Sequence, residues 1–413
     1  VIRWSDRIAL TPILAGLLVS IAAAKYGGGS GIASDPYLIR TVEDLNTLGN
    51  TQADWDKYFR LMADLDLDAY NETSFHLIGY WASYGDITNK PFSGSFDGNG
   101  RTISNFHYKD MKQNGIALFR YVTTGEVKNL KLKNAKVVSD GSDIGSLVGR
   151  LGGGDVIGCE VTGADVTGNT RVGGLVGSVT GTVSECSSRG RVTGLLDVGG
   201  LAGDVEQGTV KRSYSKVSVS GNDSVGGLVG TTLNEASLVD SCYANGKVNG
   251  AAYAGGLVGQ VGAGRVYRSY STGAVTGNQP IGGLVGAKRA LGDVMASFWD
   301  MQTSGRSASA GGTGKPTADM WSSATYVGWD WDGTWSICDG RNYPVFWWQM
   351  PTADLRCPDG VNATDFAWFA MEWERSDCGE VNSHCDWTDF DRSGSVGFSD
   401  LAILAEEWLS GLY

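Results

Sequence analysis

Between residues 111 and 300 the chain alternates short apolar and polar runs with a period of two, and the runs break at Gly, Asn or Ser. Such a pattern predicts short β-strands rather than helices. The runs also recur. A Ser/Gly-Leu-Val/Ala-Gly tetrapeptide places its leucine at Leu147, Leu175, Leu201, Leu228, Leu257 and Leu284, at spacings of 28, 26, 27, 29 and 27 residues. Between the copies, CSSRGRVTG from Cys186, CYANGKVNG from Cys242 and SYSTGAVTG from Ser269 repeat in turn. A fixed period of this length marks a solenoid. One coil alone has no partner for its backbone groups or its Leu and Val side chains, whereas parallel rungs stacked about 4.8 Å apart satisfy both. Helical repeats are excluded, because Gly and β-branched residues at this density would cost each helix on the order of several kcal/mol. The expected fold is mainly β, a right-handed parallel β-solenoid (β-helix) of about 27-residue coils.

Identical positions in stacked coils become ladders. Cys159, Cys186, Ser213, Cys242, Ser269 and Ser297 form one, read as buried small residues at a corner rather than an array of reactive thiols. Cys159 and Cys186 would lie on adjacent coils, within disulfide reach. Val42, Leu45 and Leu48 stand at helical spacing and predict a short amphipathic helix capping the first coil. At the other end Trp329, Trp331, Trp335, Tyr343, Phe346, Trp347 and Trp348 crowd together, which predicts an aromatic plug over the last coil, with a sugar-stacking platform as the functional alternative.

After Met350 the glycines thin out and a loop followed by an apolar helix occurs twice, Asp365 to Trp373 aligning with Asp400 to Trp408 at an offset of 35 residues. The second loop, Asp389 to Asp400, carries side-chain oxygens at Asp389, Asp391, Ser393 and Asp400, a turn glycine at Gly394, and the Ser395 carbonyl between them. Oxygen-only ligation on a flexible loop is what calcium prefers. The first loop departs from this pattern through Arg356 and Pro358, with Asp359-Gly360 displaced by one, so Asp354, Asn362 and Asp365 are its remaining, weaker candidates. Cys378 and Cys385 flank the linker between the two halves and are expected to bridge, and Cys338 is expected to pair with Cys357.

Composition narrows the function. Hydrophobic residues at 42% support a sizeable core, and 61 Gly against 8 Pro suit many tight turns. Residues 1 to 24 read as a secretory signal peptide, with Arg3 and Arg7 before an apolar run and Ala22-Ala23-Ala24 as the cleavage site. Nothing after it is apolar enough to span a bilayer, so the mature chain is expected to be secreted, extracellular or attached to the cell surface. A formal charge of -12 disfavours nucleic acid. Asp64, Asp66 and Asp68 alternate with Leu65 and Leu67, which puts three carboxylates on one outward face about 7 Å apart, the best candidate for catalytic acids and more simply a solvated strand. No His-Glu-x-x-His sequence, Gly-x-Ser-x-Gly elbow or phosphate loop occurs.

Two resemblances follow from these motifs. The six Leu-centred tetrapeptides, together with Asp35-Pro36-Tyr37-Leu38-Ile39, Phe59 to Leu67 and Phe92 to Gly100, resemble the GLUG-motif family, whose repeats occur in large secreted and surface proteins. The duplicated loop and helix, with Asp at the twelfth loop position, resembles a type I dockerin. That resemblance implies a small α-helical module of paired EF-hand-like loops, calcium held by Asp389, Asp391, Ser393, Ser395 and Asp400, and a cohesin-bearing scaffold as partner. The implied order is signal peptide 1–24, opening segment and N-terminal cap 25–110, GLUG-repeat solenoid 111–300, aromatic cap 301–350 and dockerin-like module 351–413. The function expected is a secreted binding or structural protein that presents a face to polysaccharide or cell-surface glycans. The alternative is a dockerin-bearing glycoside hydrolase or polysaccharide lyase.

Overall fold

The computed structural model describes residues 25–408 except 71, 279, 356, 358 and 359; the expected signal peptide lies outside the described residues. The chain winds into a parallel β-solenoid of about eight coils of about 27 residues each. Its walls are a ten-stranded sheet from Tyr37–Ile39 to Asp293–Met295, a fourteen-stranded sheet from Leu65–Asp66 to Thr313–Lys315, a seven-stranded sheet from Phe119–Val122 to Val285–Lys288 and a six-stranded sheet from Ser142–Ile144 to Ile281–Gly282. The short pair Trp335–Ser336 and Val345–Phe346 is antiparallel and stands outside these walls.

The repeated leucines are the spine of the solenoid. Leu147, Leu175, Leu201, Leu228, Leu257 and Leu284 are each 0% exposed. From Leu147 to Leu257, each leucine N–H donates to the carbonyl of the leucine one coil later, at 2.8 to 3.1 Å. The glycines around them are required by close approach of backbone to backbone. A Cβ on Gly226 would lie 1.9 Å from the Val229 carbonyl oxygen, and one on Gly227 would lie 2.1 Å from the Gly256 carbonyl oxygen of the next coil.

The small-residue ladder has a specific use. The N–H groups of Cys186, Cys242 and Ser269 donate to the hydroxyls of Ser213, Ser269 and Ser297 on the following coil, at 3.0, 3.0 and 3.2 Å. Those hydroxyls donate in turn to the carbonyls of Lys211, Tyr267 and Met295, two residues back on their own coils. Each ladder residue thus satisfies a corner where main chain alone does not meet main chain. Cys159, Cys186 and Cys242 are buried free thiols, not bridged, and burial pushes the Cys186 and Cys242 thiols up, away from reactivity.

Both ends of the stack are closed. At the start, Gly27 N–H donates to the Leu38 carbonyl and Leu38 N–H to the Gly28 carbonyl, covering the edge of the first strand. The helix Val42–Asn50 forms where expected, held by a Thr41–Asp44 capping box and burying Leu45 and Leu48. At the far end Ser309 Oγ accepts from the Leu284 and Val285 N–H groups, standing in for a further coil.

The aromatic segment is therefore not the plug over the last coil. Trp329, Trp335 and Phe346 pack sideways onto an outward ladder of Tyr214, Tyr243, Tyr270 and Phe298. The Tyr214 and Tyr243 rings lie 4.8 Å apart at 2°, and Tyr243 and Tyr270 lie 5.1 Å apart at 10°. Such a ladder in water would be a large apolar stripe, and the returning chain buries it. Among the described residues no helix is long and apolar enough to cross a membrane.

Beyond Met350 two helices, Ala363–Met371 and Phe398–Glu406, enclose a small core of Ala353, Val361, Phe369, Cys385, Val396 and Leu404. Both expected disulfides are present, Cys378–Cys385 and Cys338–Cys357, the latter tying this unit to the aromatic segment.

Candidate functional site

The Asp row faces outward as its alternation requires, with Asp64, Asp66 and Asp68 exposed and Leu65 and Leu67 buried. Its oxygens hold the turn into the next coil. Asp64 Oδ1 accepts from Thr102 N–H at 2.8 Å, and Asp66 Oδ1 accepts from Asn105 Nδ2 at 2.8 Å and Asp68 N–H at 3.0 Å. These bonds, Asn105 first, hold the Asp66 carboxyl below its ordinary range, the direction opposite to what a general acid needs.

The second loop gathers its acids. Carboxylate oxygens of Asp389, Asp391 and Asp400 all lie within 4.8 Å of one another, and Asp389 and Asp400 are buried. Five backbone bonds aim them: Ser393 N–H to Asp389 Oδ1 and to Asp391 Oδ1, Gly394 N–H to Asp389 Oδ2, Asp391 N–H to Asp400 Oδ1, and Gly397 N–H to Asp400 Oδ2. Gly394 takes the left-handed φ of 93° that the turn requires. Ser393 Oγ donates to the Ser395 carbonyl at 3.2 Å, so those two oxygens also converge. Three carboxylates this close repel one another, although the hydroxyls of Ser399 and Ser393 hold the exposed Asp391 carboxyl below its ordinary range. An oxygen-only set under that repulsion suits a hard divalent cation.

The first loop keeps part of the same frame. Asp365 Oδ2 accepts from Asn362 N–H as Asp400 Oδ2 does from Gly397 N–H, and Asp354 Oδ2 accepts from Gly360 N–H. Asn362 Oδ1 caps the helix at Thr364 N–H. Its described carboxylates are two, Asp354 and Asp365, and Arg356, Pro358 and Asp359 lie outside the described residues. The nearby trio Asp377, Cys378 and Cys385 holds no metal, since both cysteines are bridged.

Two clefts on the solenoid flanks were not singled out from the sequence. One, of about 450 Å³, opens where the aromatic segment stops covering its ladder. Its floor is the outward row Lys131, Glu160, Ser187 and Tyr214 on successive coils, paired in that order across the sheet. Its head is Trp348, 44% exposed and stacked 5.3 Å from Phe346 at 10°. Arg189 Nη2 donates to Tyr214 Oη at 3.3 Å, and Arg212 Nη2 pairs with Glu185 at 2.7 Å beside the cleft.

The other cleft lies beneath residues 79–91, which leave the solenoid and return through the Tyr80–Lys90 pairing. There Arg150 sits 4.8 Å from the Trp81 ring centroid and 5.6 Å from that of Tyr84, and pairs with Glu206 at 2.7 Å. Trp81 Nε1 and Arg171 Nε both donate to Asp143, at 2.9 and 2.5 Å. Asp204, 1% exposed, has an Oδ1 with no hydrogen-bond partner among the described residues. Burial pushes its carboxyl up to about 7, against the Ser178 hydroxyl and the Arg171 charge.

One coil of this architecture is matched by a known family. The model of the GLUG motif covers residues 168–193. The chain is a repeat β-solenoid that carries the GLUG motif. The matched segment is one turn of the stack, with strands Thr170–Gly173, Val176–Val179, Thr182–Ser184 and Ser187–Thr193. Halomucin from Haloquadratum walsbyi is 34% identical over 153 residues, which is 37% of this chain and 2% of that protein. A "Putative Gly-rich membrane protein" from Evansella cellulosilytica is 31% identical over 78% of this chain and 46% of its own length. The chain thus spans less than half of either relative. The crystal structure of "a putative immunoglobulin A1 protease" from Bacteroides ovatus superposes with a TM-score of 0.52 at 20% identity, covering 78% of this chain and 95% of that chain; the likeness is one of fold.

Proposed function

We propose that the chain is an extracellular binding protein whose solenoid presents a glycan- or cell-surface-binding face and whose residues 351–413 attach it to a scaffold as a calcium-dependent, dockerin-like module. The observation that carries this reading is the convergence of Asp389, Asp391 and Asp400 within 4.8 Å on a glycine-turned loop between paired helices. Calcium would be held there by those three side chains, Ser393 Oγ and the Ser395 carbonyl, and would supply the positive charge that lets buried carboxylates share one site. The relatives named as a halomucin and a membrane protein support a surface location, as does the formal charge of -12, which suits calcium and a salty exterior.

Calorimetric titration of the chelator-treated full chain is expected to show one dominant calcium site. Asp400→Asn should weaken it at least tenfold, and calcium at about 100 times its Kd should stabilise the unit that holds it by about 2.7 kcal/mol. A cohesin-bearing scaffold should capture the chain in calcium and release it in chelator. Absence of a binding heat, or an Asp400→Asn variant that binds as tightly as the wild type, refutes the calcium assignment.

A further inference from the structure

We infer that the cleft headed by Trp348 takes an acidic oligosaccharide, a uronic-acid-bearing chain that lies along the solenoid axis with one pyranose ring on the indole. The inference rests on the binding-face reading above and names the ligand class for one place on that face. Trp348 is half-exposed, yet its ring is fixed from behind by Phe346, itself stacked 4.4 Å from Trp335 at 28°. A rigid aromatic ring presented at the mouth of a cleft loses little conformational entropy when a flat apolar face, such as that of a pyranose, settles on it.

The floor has the matching repeat. Lys131, Glu160 and Ser187 stand on successive coils in direct register, so polar groups recur at the spacing between rungs, about 4.8 Å. That spacing is close to the rise of one sugar in an extended chain, which lets each ring meet one rung. A ligand running along one strand would meet alternating inward and outward positions instead.

Charge selects the acid. The Glu185 carboxylate is already engaged by Arg212 through Nε and Nη2. Among the described residues neither Lys131 nor Arg189 enters an ion pair, and the remaining acid of the cleft is Glu160. The lining therefore carries two cations, Lys131 and Arg189, against two acids, and of those acids Glu185 is already neutralised by Arg212 beside the cleft while Glu160 faces Arg189. Arg189 is tethered at one nitrogen by Tyr214 Oη, which leaves guanidinium donors for a carboxylate. Glu160 and Asn129 supply acceptors and donors for the ring hydroxyls.

The test is calorimetry of the full chain with hexagalacturonate, cellohexaose and poly-glutamate as probes. Hexagalacturonate is expected to bind, with cellohexaose at least tenfold weaker and poly-glutamate not competing. Trp348→Ala should weaken hexagalacturonate at least tenfold with an unchanged far-ultraviolet spectrum. Arg189→Gln, which gives up the bond to Tyr214 Oη but removes no ring, should weaken hexagalacturonate but not cellohexaose. No binding of hexagalacturonate, equal binding of cellohexaose, displacement by poly-glutamate, or unaltered affinity in both variants overturns the inference. Each of those results leaves the calcium titration unaffected, so the two readings fail separately.

Discussion

Gly226→Ala is expected to destabilise the solenoid by about 4 kcal/mol or more, or to leave no soluble protein. The reason is space. The added methyl would stand 1.9 Å from the Val229 carbonyl oxygen, 2.7 Å from Gly259 N and 2.8 Å from the Leu257 carbonyl oxygen. All three are backbone atoms, two of them on the next coil, so no rotamer change relieves the clash. The same geometry recurs at Gly173, Gly199, Gly255 and Gly282, whose Cβ would lie 1.9 to 2.0 Å from the carbonyl oxygen three residues on. One substitution therefore separates rungs that hydrogen-bond in a chain, and the loss spreads to both neighbours. Gly85→Ala is the control. Gly85 has φ of 75° but nothing within 4 Å of its would-be Cβ, so only backbone strain of about 1 kcal/mol applies. Denaturant unfolding of the two variants decides the matter: equal losses would mean that the glycines of the repeat serve conformational freedom and not close contact.

The solenoid was legible because its cause is local and repeated. A leucine that must be buried once per coil leaves the same mark at Leu147, Leu175, Leu201, Leu228, Leu257 and Leu284, and the structure stacks all six. The Cys378–Cys385 bridge and the acidic loop were legible from local marks, two cysteines in one short linker and oxygens at fixed loop spacings, whereas no local mark pointed to Cys338–Cys357. What stayed hidden depends on which face is covered. Tyr214, Tyr243, Tyr270 and Phe298 alternate like any outward strand residues, and only the returning chain makes them a core. The corners are hidden too. Glu185, Arg212, Ser241, Arg268 and Ala296 turn them in the left-handed region, φ 44 to 56°, where sequence reasoning expects Gly or Asn. Stacking makes up for the strain by satisfying both neighbours of each corner, and pairs such as Arg212–Glu185 and Arg268–Asp240 run along the same edges. The clefts at Trp348 and Arg150 join residues from distant segments, Trp348 to Lys131 and Trp81 to Glu206, and no period links them.

Stability should fall as the pH rises from about 4 to about 7, and Asp204→Asn should remove most of that slope. Burial raises the folded Asp204 carboxyl to about 7 and that of Asp197 to about 6, whereas an unfolded aspartate titrates near 3.9. Between those values the folded chain binds more protons than the unfolded one, so each step up in pH favours unfolding. The neutral form is favoured because Asp204 is packed on the seven-stranded sheet, in register with Ser178 and Thr231, with Asp143 and Asp197 adding negative charge and Arg171 only partly offsetting it. A displacement of about three units corresponds to on the order of 4 kcal/mol lost by pH 8. Carboxylates held low, such as Asp66 and Asp300, act with the opposite sign and below their unfolded pKa, so the two windows do not overlap. Asparagine keeps the shape and remains neutral at every pH, and the variant should unfold at higher denaturant than the wild type at pH 8 while matching it at pH 4. A wild-type profile flat from pH 4 to 7, or a variant with the same slope, would show that the Asp204 carboxylate is solvated or paired in solution.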